Sequence, residues 1–127
     1  MKSFVVSLIF LGITAITVAV NCVYVTGVLE KMDEALSALP EISDTAEIPR
    51  EVSDRVHGLF DFWQRHRRFL ALTINQAELR DCTTALGNLA AFCDSRTPAD
   101  YDAALSESRL RISTLLSRES FTLENII

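Results

Sequence analysis

The sequence predicts an all-α protein in which an N-terminal transmembrane helix continues into a small antiparallel helical bundle of two stacked helical hairpins. Three observations support this fold class. Residues 4–29 contain no charged side chain. After them, apolar residues recur at alternating spacings of three and four, the period of an amphipathic helix. Prolines or capping residues separate these periodic segments from one another.

Residues 1–29 are the predicted membrane anchor. At ~1.5 Å per residue the uncharged stretch forms a helix about 39 Å long, which exceeds a hydrocarbon core of ~30 Å. A cleaved signal peptide is the alternative, because Lys2 precedes the stretch and Thr17-Val18-Ala19 resembles a small-x-small cleavage site. Apolar residues continue as far as Leu29, however, and a signal peptide's apolar region spans only ~7–15 residues.

The charges that flank the anchor predict its orientation. Lys2 lies before it, and Glu30, Lys31, Asp33 and Glu34 follow it. Cationic residues favour the cytoplasmic side of a membrane. We therefore expect a single-pass cell-membrane protein with a cytoplasmic N-terminus and an extracytoplasmic domain over residues 30–127.

Small residues within the anchor recur on one helical line, which we call the small-residue seam. Its members are Gly12, Ala15, Ala19, Cys22 and Thr26, with the polar Asn21 beside them. Membrane helices associate through such faces, because small side chains let two backbones approach closely. The seam predicts packing against another membrane helix, although small residues are also common in spans that pack against nothing.

Prolines and helix-capping residues predict four helical segments after the anchor, over about 30–39, 49–73, 76–92 and 98–118, followed by a C-terminal tail. The first continues the anchor without a break and ends before Pro40, since proline disfavours helix at the residue before it. Pro49 suits the first turn of the second. Asn75 and Glu78 have capping-box spacing for the third, and Thr97 can cap the fourth.

The apolar stripes of these segments predict the core of the outer domain. Its predicted members are Val56, Leu59, Trp63, Leu70, Leu79, Leu86, Leu89, Tyr101, Leu105, Ile112 and Leu115. Phe62 and Phe69 form a second stripe on the segment that begins near Pro49, which predicts that this helix is buried on more than one side and lies at the centre. Residues 29–39 and 79–89 share one apolar pattern, which suggests two hairpins of similar design.

Composition and motifs argue against catalysis and nucleic-acid binding. All 17 Asp and Glu residues follow the anchor, against 11 of the 12 Lys and Arg residues, and an acidic domain disfavours contact with nucleic acid. No common catalytic, phosphate-binding or metal-binding motif occurs. We expect no enzyme activity and no cofactor. We also expect Cys82 and Cys93 to be small buried residues rather than a disulfide.

One basic cluster contains Arg65, Arg67 and Arg68, with His66 between them. It is a candidate contact for anions or anionic lipid headgroups. The alternative is a solvated helix face paired with nearby carboxylates such as Asp61.

The order of these features resembles a family. An N-terminal Met-Lys before one span, Trp63 followed by Phe69-Leu70, the Glu78-Leu79 helix start and the ending over residues 121–127, Phe-Thr-Leu-Glu-Asn-Ile-Ile, resemble domain-of-unknown-function family 4363. The resemblance covers nearly the whole chain. It implies a small single-pass membrane protein of anaerobic, often spore-forming bacteria. Genes of that family often neighbour those of a multi-pass membrane family, which implies a membrane partner.

Two classes of function agree with these features. The first is a membrane-anchored, non-catalytic interaction or accessory protein that partners another membrane protein or a second copy of itself. The second is an envelope-facing sensor or small-ligand-binding module, which would require a pocket with convergent polar groups.

Overall fold

The computed structural model describes residues 1–42 and 47–126. They form four α-helices: α1 over Lys2–Ala38, α2 over Arg50–Leu70, α3 over Gln76–Ser95 and α4 over Pro98–Ile126. No strand occurs in the described part of the chain, and the all-α prediction is confirmed. Within the acidic connection predicted between Pro40 and Pro49, residues 43–46 lie outside the description.

The four helices form a bundle in which neighbours along the chain run in opposite directions. α4 packs most extensively, against both α1 and α3, whereas α2 packs mainly against α3 and only lightly against α1. The prediction that α2 is central is therefore wrong, because α4 supplies the larger interfaces. The hairpins also pair unequally, since α1 contacts α4 across the bundle more than it contacts α2, its partner in the first hairpin.

α4 stabilises the C-terminal end of α1. We call this end of the bundle its upper end, and the end nearest the N-terminal part of α1 its lower end. The Arg109 side chain donates from Nε to the carbonyl oxygen of Leu36 at 2.9 Å, and from Nη2 to that of Leu39. The backbone N–H of Ile42 donates to Asp102 Oδ1 at 2.8 Å. The last carbonyls of a helix lack partners within it, so these bonds stabilise the point at which α1 ends.

Capping residues set the start of α3 much as the sequence suggests. Asn75 is the N-cap, and its side-chain oxygen accepts a hydrogen bond from the backbone N–H of Ala77 at 2.8 Å. Glu78 pairs with Arg118 of α4 instead of completing a capping box. Pro49 is the N-cap of α2 rather than its first residue.

Three predicted helix ends differ from the structure. α3, which was predicted to end at about residue 92, continues to Ser95. α2 ends at Leu70, and residues 71–74 form a turn. α4 continues to Ile126, so no tail begins after residue 118. Neither proline nor glycine follows residue 118, and antiparallel packing on the lower part of α1 gives the extra turns a surface to cover.

Burial along α1 shows that the bundle begins earlier in the chain than predicted. Cys22, Val25 and Val28 are buried with Leu29 in the bundle core. The bundle therefore begins at Cys22, inside the segment 1–29 that was predicted to be membrane anchor. Lipid and protein core both favour apolar side chains, which is why hydropathy alone places this boundary too late.

All eleven predicted core residues are buried. Trp63 is fully buried, and its indole Nε1 donates to Thr83 Oγ1 on α3 at 2.9 Å. Phe62 is only half-buried and Phe69 is exposed. The second apolar stripe of α2 is therefore largely uncovered, and the prediction that α2 is buried on more than one side is wrong.

Replacing Trp63 with alanine should lower the free energy of unfolding by about 3–5 kcal/mol, because it removes a large side chain from a closed core and leaves a cavity. Thermal unfolding of the full chain in mild detergent measures this. Arg67→Ala on the exposed face of the same helix is the matched control and should change stability by less than ~0.5 kcal/mol. Equal melting temperatures for the two variants would contradict the prediction that Trp63 stabilises the core.

Candidate functional site at the junction of span and bundle

The lower part of α1 projects from the bundle as a bare apolar helix. It contains an 18-residue window that is apolar enough to cross a membrane, and none of that window is buried. Residues 2–20 span about 28 Å at ~1.5 Å per residue. That length matches a hydrocarbon core of ~30 Å, so a helical segment long enough to cross a membrane ends where the bundle begins.

The structure divides the small-residue seam in two. Gly12 and Ala15 are exposed, and a Cβ added at Gly12 would meet nothing within 4 Å. Ala19 is half-buried, whereas Cys22 and Thr26 are buried in the bundle. The prediction that Cys22 and Thr26 face another membrane helix is therefore corrected, because other helices of this chain already cover them.

Asn21 marks the level at which α1 enters the bundle. Its Nδ2 donates to Thr73 Oγ1 in the turn between α2 and α3. The prediction that Asn21 bonds to another membrane helix is corrected accordingly. One turn higher, the Tyr24 ring contacts the Phe69 ring edge to face, with centroids 6.0 Å apart. These contacts hold the lower end of α2 and the following turn against α1.

The basic cluster lies just above this turn. Arg65, Arg67 and Arg68 are exposed, and none of them forms an ion pair with a described residue. The alternative was a solvated helix face paired with carboxylates such as Asp61: the solvated face is observed, but no pairing with Asp61 is. His66 is engaged within α2, where its Nδ1 donates to the carbonyl oxygen of Phe62 at 2.8 Å.

Exposed apolar side chains surround the same end of the bundle. Phe69 is 52% exposed, Leu72 is 76% exposed, and Phe121 of α4 is 66% exposed. Arg109 lies opposite Leu36, and both helices rise equally per residue in opposite directions, so Phe121 falls at about the level of Tyr24. We call Phe69, Leu72 and Phe121 the apolar base. Apart from the predicted burial of Phe69, sequence reasoning missed it, although apolar residues interleaved with arginines at a helix end were a usable signal.

The two histidines serve separate contacts. His57 Nε2 lies 2.8 Å from Asp94 Oδ1 on α3, whereas His66 packs against Phe62, with ring centroids 4.2 Å apart. Among residues 1–42 and 47–126, no three His, Cys, Asp or Glu side chains lie close enough together to hold a metal ion.

The three cysteines are free thiols and buried. Burial raises the pKa of both Cys82 and Cys93 from 9.0 to about 11. Since the thiolate is the reactive form, these positions do not offer a nucleophile at neutral pH.

A groove opens between α1 and α2, the most loosely packed pair of helices. Its volume is about 450 Å³. Its lining is mainly apolar, with two basic side chains, and consists of Lys31, Met32, Ala35, Ala38, Leu39, Arg55, Leu59 and Phe62. This size lies within the ~300–1,000 Å³ range of small-molecule sites.

No family model matches the chain, and no curated protein or solved structure shows significant similarity to it. The resemblance to domain-of-unknown-function family 4363 therefore stays a prediction.

The raised thiol pKa values predict loss of stability in alkali. A pKa raised in the folded state means that the stability from neutral Cys82 and Cys93 is complete below pH 9 and is lost as the pH rises towards 11. Unfolding free energy measured from pH 8 to 11 should therefore fall more steeply for the wild type than for a Cys82→Ala, Cys93→Ala double variant. The slopes decide the question, since the cavities lower the variant's stability at every pH. Parallel curves would contradict the prediction.

Proposed function

We propose that this chain is a single-pass membrane protein whose bundle serves as a non-catalytic interaction or accessory module for another membrane protein. The observation that carries the proposal is that the apolar segment over residues 2–20 is exposed except for the half-buried Ala19. A soluble core helix would be buried by its neighbours, whereas this segment requires lipid or another helix to remove it from water.

The proposed topology has Lys2 and the N-terminus in the cytoplasm and the bundle outside. Charges that flank the span support it, because cationic residues favour the cytoplasmic side. A C-terminal fusion to a reporter that is active only outside the cytoplasm should be active. Activity only from a cytoplasmic reporter, or release of a shortened soluble protein, would contradict an uncleaved anchor in this orientation.

The direction of the seam favours a particular kind of partner. One face of α1 carries the whole seam. Its upper residues, Cys22 and Thr26, are buried by the bundle, and Gly12, Ala15 and Ala19 lie on the same face below them. A second copy packed in parallel on the seam would carry its own bundle to the same height, where this face is already covered. This supports a different membrane protein, whose helix ends near the membrane surface beneath the bundle.

A small-ligand-binding module is the second candidate, because of the groove between α1 and α2. Its apolar lining with Lys31 and Arg55 suits an amphiphile with an acidic head. Oleate, added to the chain in lipid nanodiscs, should then raise the melting temperature of the wild type but not of Ala35→Leu, which narrows the groove. Equal melting with and without oleate would count against this candidate.

Enlarging the free part of the seam should weaken association. Gly12→Leu and Ala15→Leu both place a bulky side chain where a facing helix would approach, without making the span less apolar. We expect several-fold less crosslinking to a membrane partner in native membranes, with unchanged insertion and an unchanged bundle. Both positions lie outside the bundle, so circular dichroism of the purified variants should match that of the wild type.

The matched control is Thr17→Leu, which enlarges a side chain on the opposite face of the same segment. Thr17 is exposed, and its hydroxyl bonds only to the carbonyl oxygen of Ile13 in the preceding turn. Association should be retained in this variant. Equal association in all three variants and the wild type would contradict a role for the seam in partner binding and leave the segment only as a membrane anchor.

A further inference from the structure

The apolar base lies at the height where the bare part of α1 ends. Phe69 contacts Tyr24, and Leu72 lies next to Thr73, which accepts the hydrogen bond from Asn21. Phe121 reaches the same level from α4 by the antiparallel register of α1 and α4. Three exposed large apolar side chains from different parts of the chain therefore lie at about the height of the root of the span.

The contacts at the root of the span fix the depth of the apolar base relative to the bilayer. The Asn21–Thr73 hydrogen bond holds the turn between α2 and α3 to α1, and the Tyr24 ring packs against the lower end of α2. With residues 2–20 filling about 28 Å of a hydrocarbon core of ~30 Å, the next residues of α1 fall in the headgroup layer. The side chains of the apolar base, which are held at the level of Asn21 and Tyr24, therefore lie in the headgroup layer as well.

The basic cluster lies at the height of the headgroups. Arg68 precedes Leu72 by four residues of the descending α2 and its turn, a rise of roughly 6 Å. The headgroup region is about 5–7 Å deep on each side of the hydrocarbon core. Long arginine side chains reach phosphates at such a depth while their stems lie along apolar surface. Positive charge here complements phosphate in a chain of net charge −5.

We infer that the base of the bundle is a second membrane contact, with Phe69, Leu72 and Phe121 inserted into the lipid interface and Arg67 and Arg68 bound to headgroup phosphates. The occupant of this surface is the bilayer that α1 crosses, because the surface is continuous with the emerging span. The inference rests on the proposed membrane crossing and adds to it that the base of the bundle is in contact with the membrane surface.

The test uses the full chain in phospholipid vesicles that contain an anionic lipid, at low protein-to-lipid ratio. Single cysteines for a nitroxide label are introduced by Leu72→Cys at the base, Ile13→Cys in the span and Asp100→Cys at the far end of the bundle. The native thiols are buried, and the unsubstituted chain, treated in parallel, should remain unlabelled. Accessibility to oxygen, which concentrates in lipid, is compared with accessibility to a water-soluble nickel complex.

Labels at positions 13 and 72 should favour oxygen several-fold more than the label at position 100. Adding Arg67→Glu and Arg68→Glu to the Leu72→Cys chain should return position 72 towards the value of position 100, since reversed charge repels phosphate. Arg65, which lies higher on α2, provides the control: Arg65→Glu should shift position 72 much less.

A label at position 72 that is as exposed to nickel as position 100, while position 13 remains in lipid, would overturn the inference and leave the membrane anchor intact. Water exposure at position 13 as well would overturn both proposals. Protection of position 72 from both reagents would overturn the inference in favour of a protein contact, such as a second copy. Lipid at position 72 in the presence of both glutamates would overturn the role of Arg67 and Arg68.

Discussion

The continuity of α1 is the constraint on which the rest of the structure depends. One helix over Lys2–Ala38 has a lower half that is bare and an upper half that is an element of the bundle. Its backbone therefore fixes the height and the rotation of α2, α3 and α4 relative to the span. The same uncharged run is exposed below Asn21 and packed in the protein core above it, and small residues such as Cys22 and Thr26 belong to the packed part.

The other end of α1 explains the central position of α4. Arg109 bonds to terminal carbonyls of α1, Asp102 accepts from the chain beyond it, and the Tyr101 hydroxyl donates to the carbonyl oxygen of Pro40 at 3.2 Å. Backbone groups that leave a helix must be satisfied by something, and here one facing helix supplies the partners. α4 thus fastens the top of α1 and covers its lower buried turns, whereas α2 leaves the groove beside Met32 and Leu39 open.

Local signals in the sequence predicted local features well. Asn75 caps α3 through its side chain, and Trp63 is buried, because capping chemistry and the 3.6-residue period act within a few residues. The start of the bundle at Cys22 could not be predicted in this way, since hydropathy does not distinguish lipid from core. Phe69 was misplaced for a related reason: an apolar residue on a helix shows that it avoids water, but not whether protein or membrane covers it.

The unbroken α1 also has a mechanical consequence. In the proposed membrane orientation, in which Asn21 lies at the membrane surface, the parts of α1 below and above Asn21 act as the two arms of one stiff lever. The upper arm, from Asn21 to Ala38, is about 26 Å long, so a change of ~20° in the inclination of the span would carry its top about 9 Å sideways. A partner that tilted the lower arm in that orientation would thereby displace Leu39, at the top of α1, without touching the bundle.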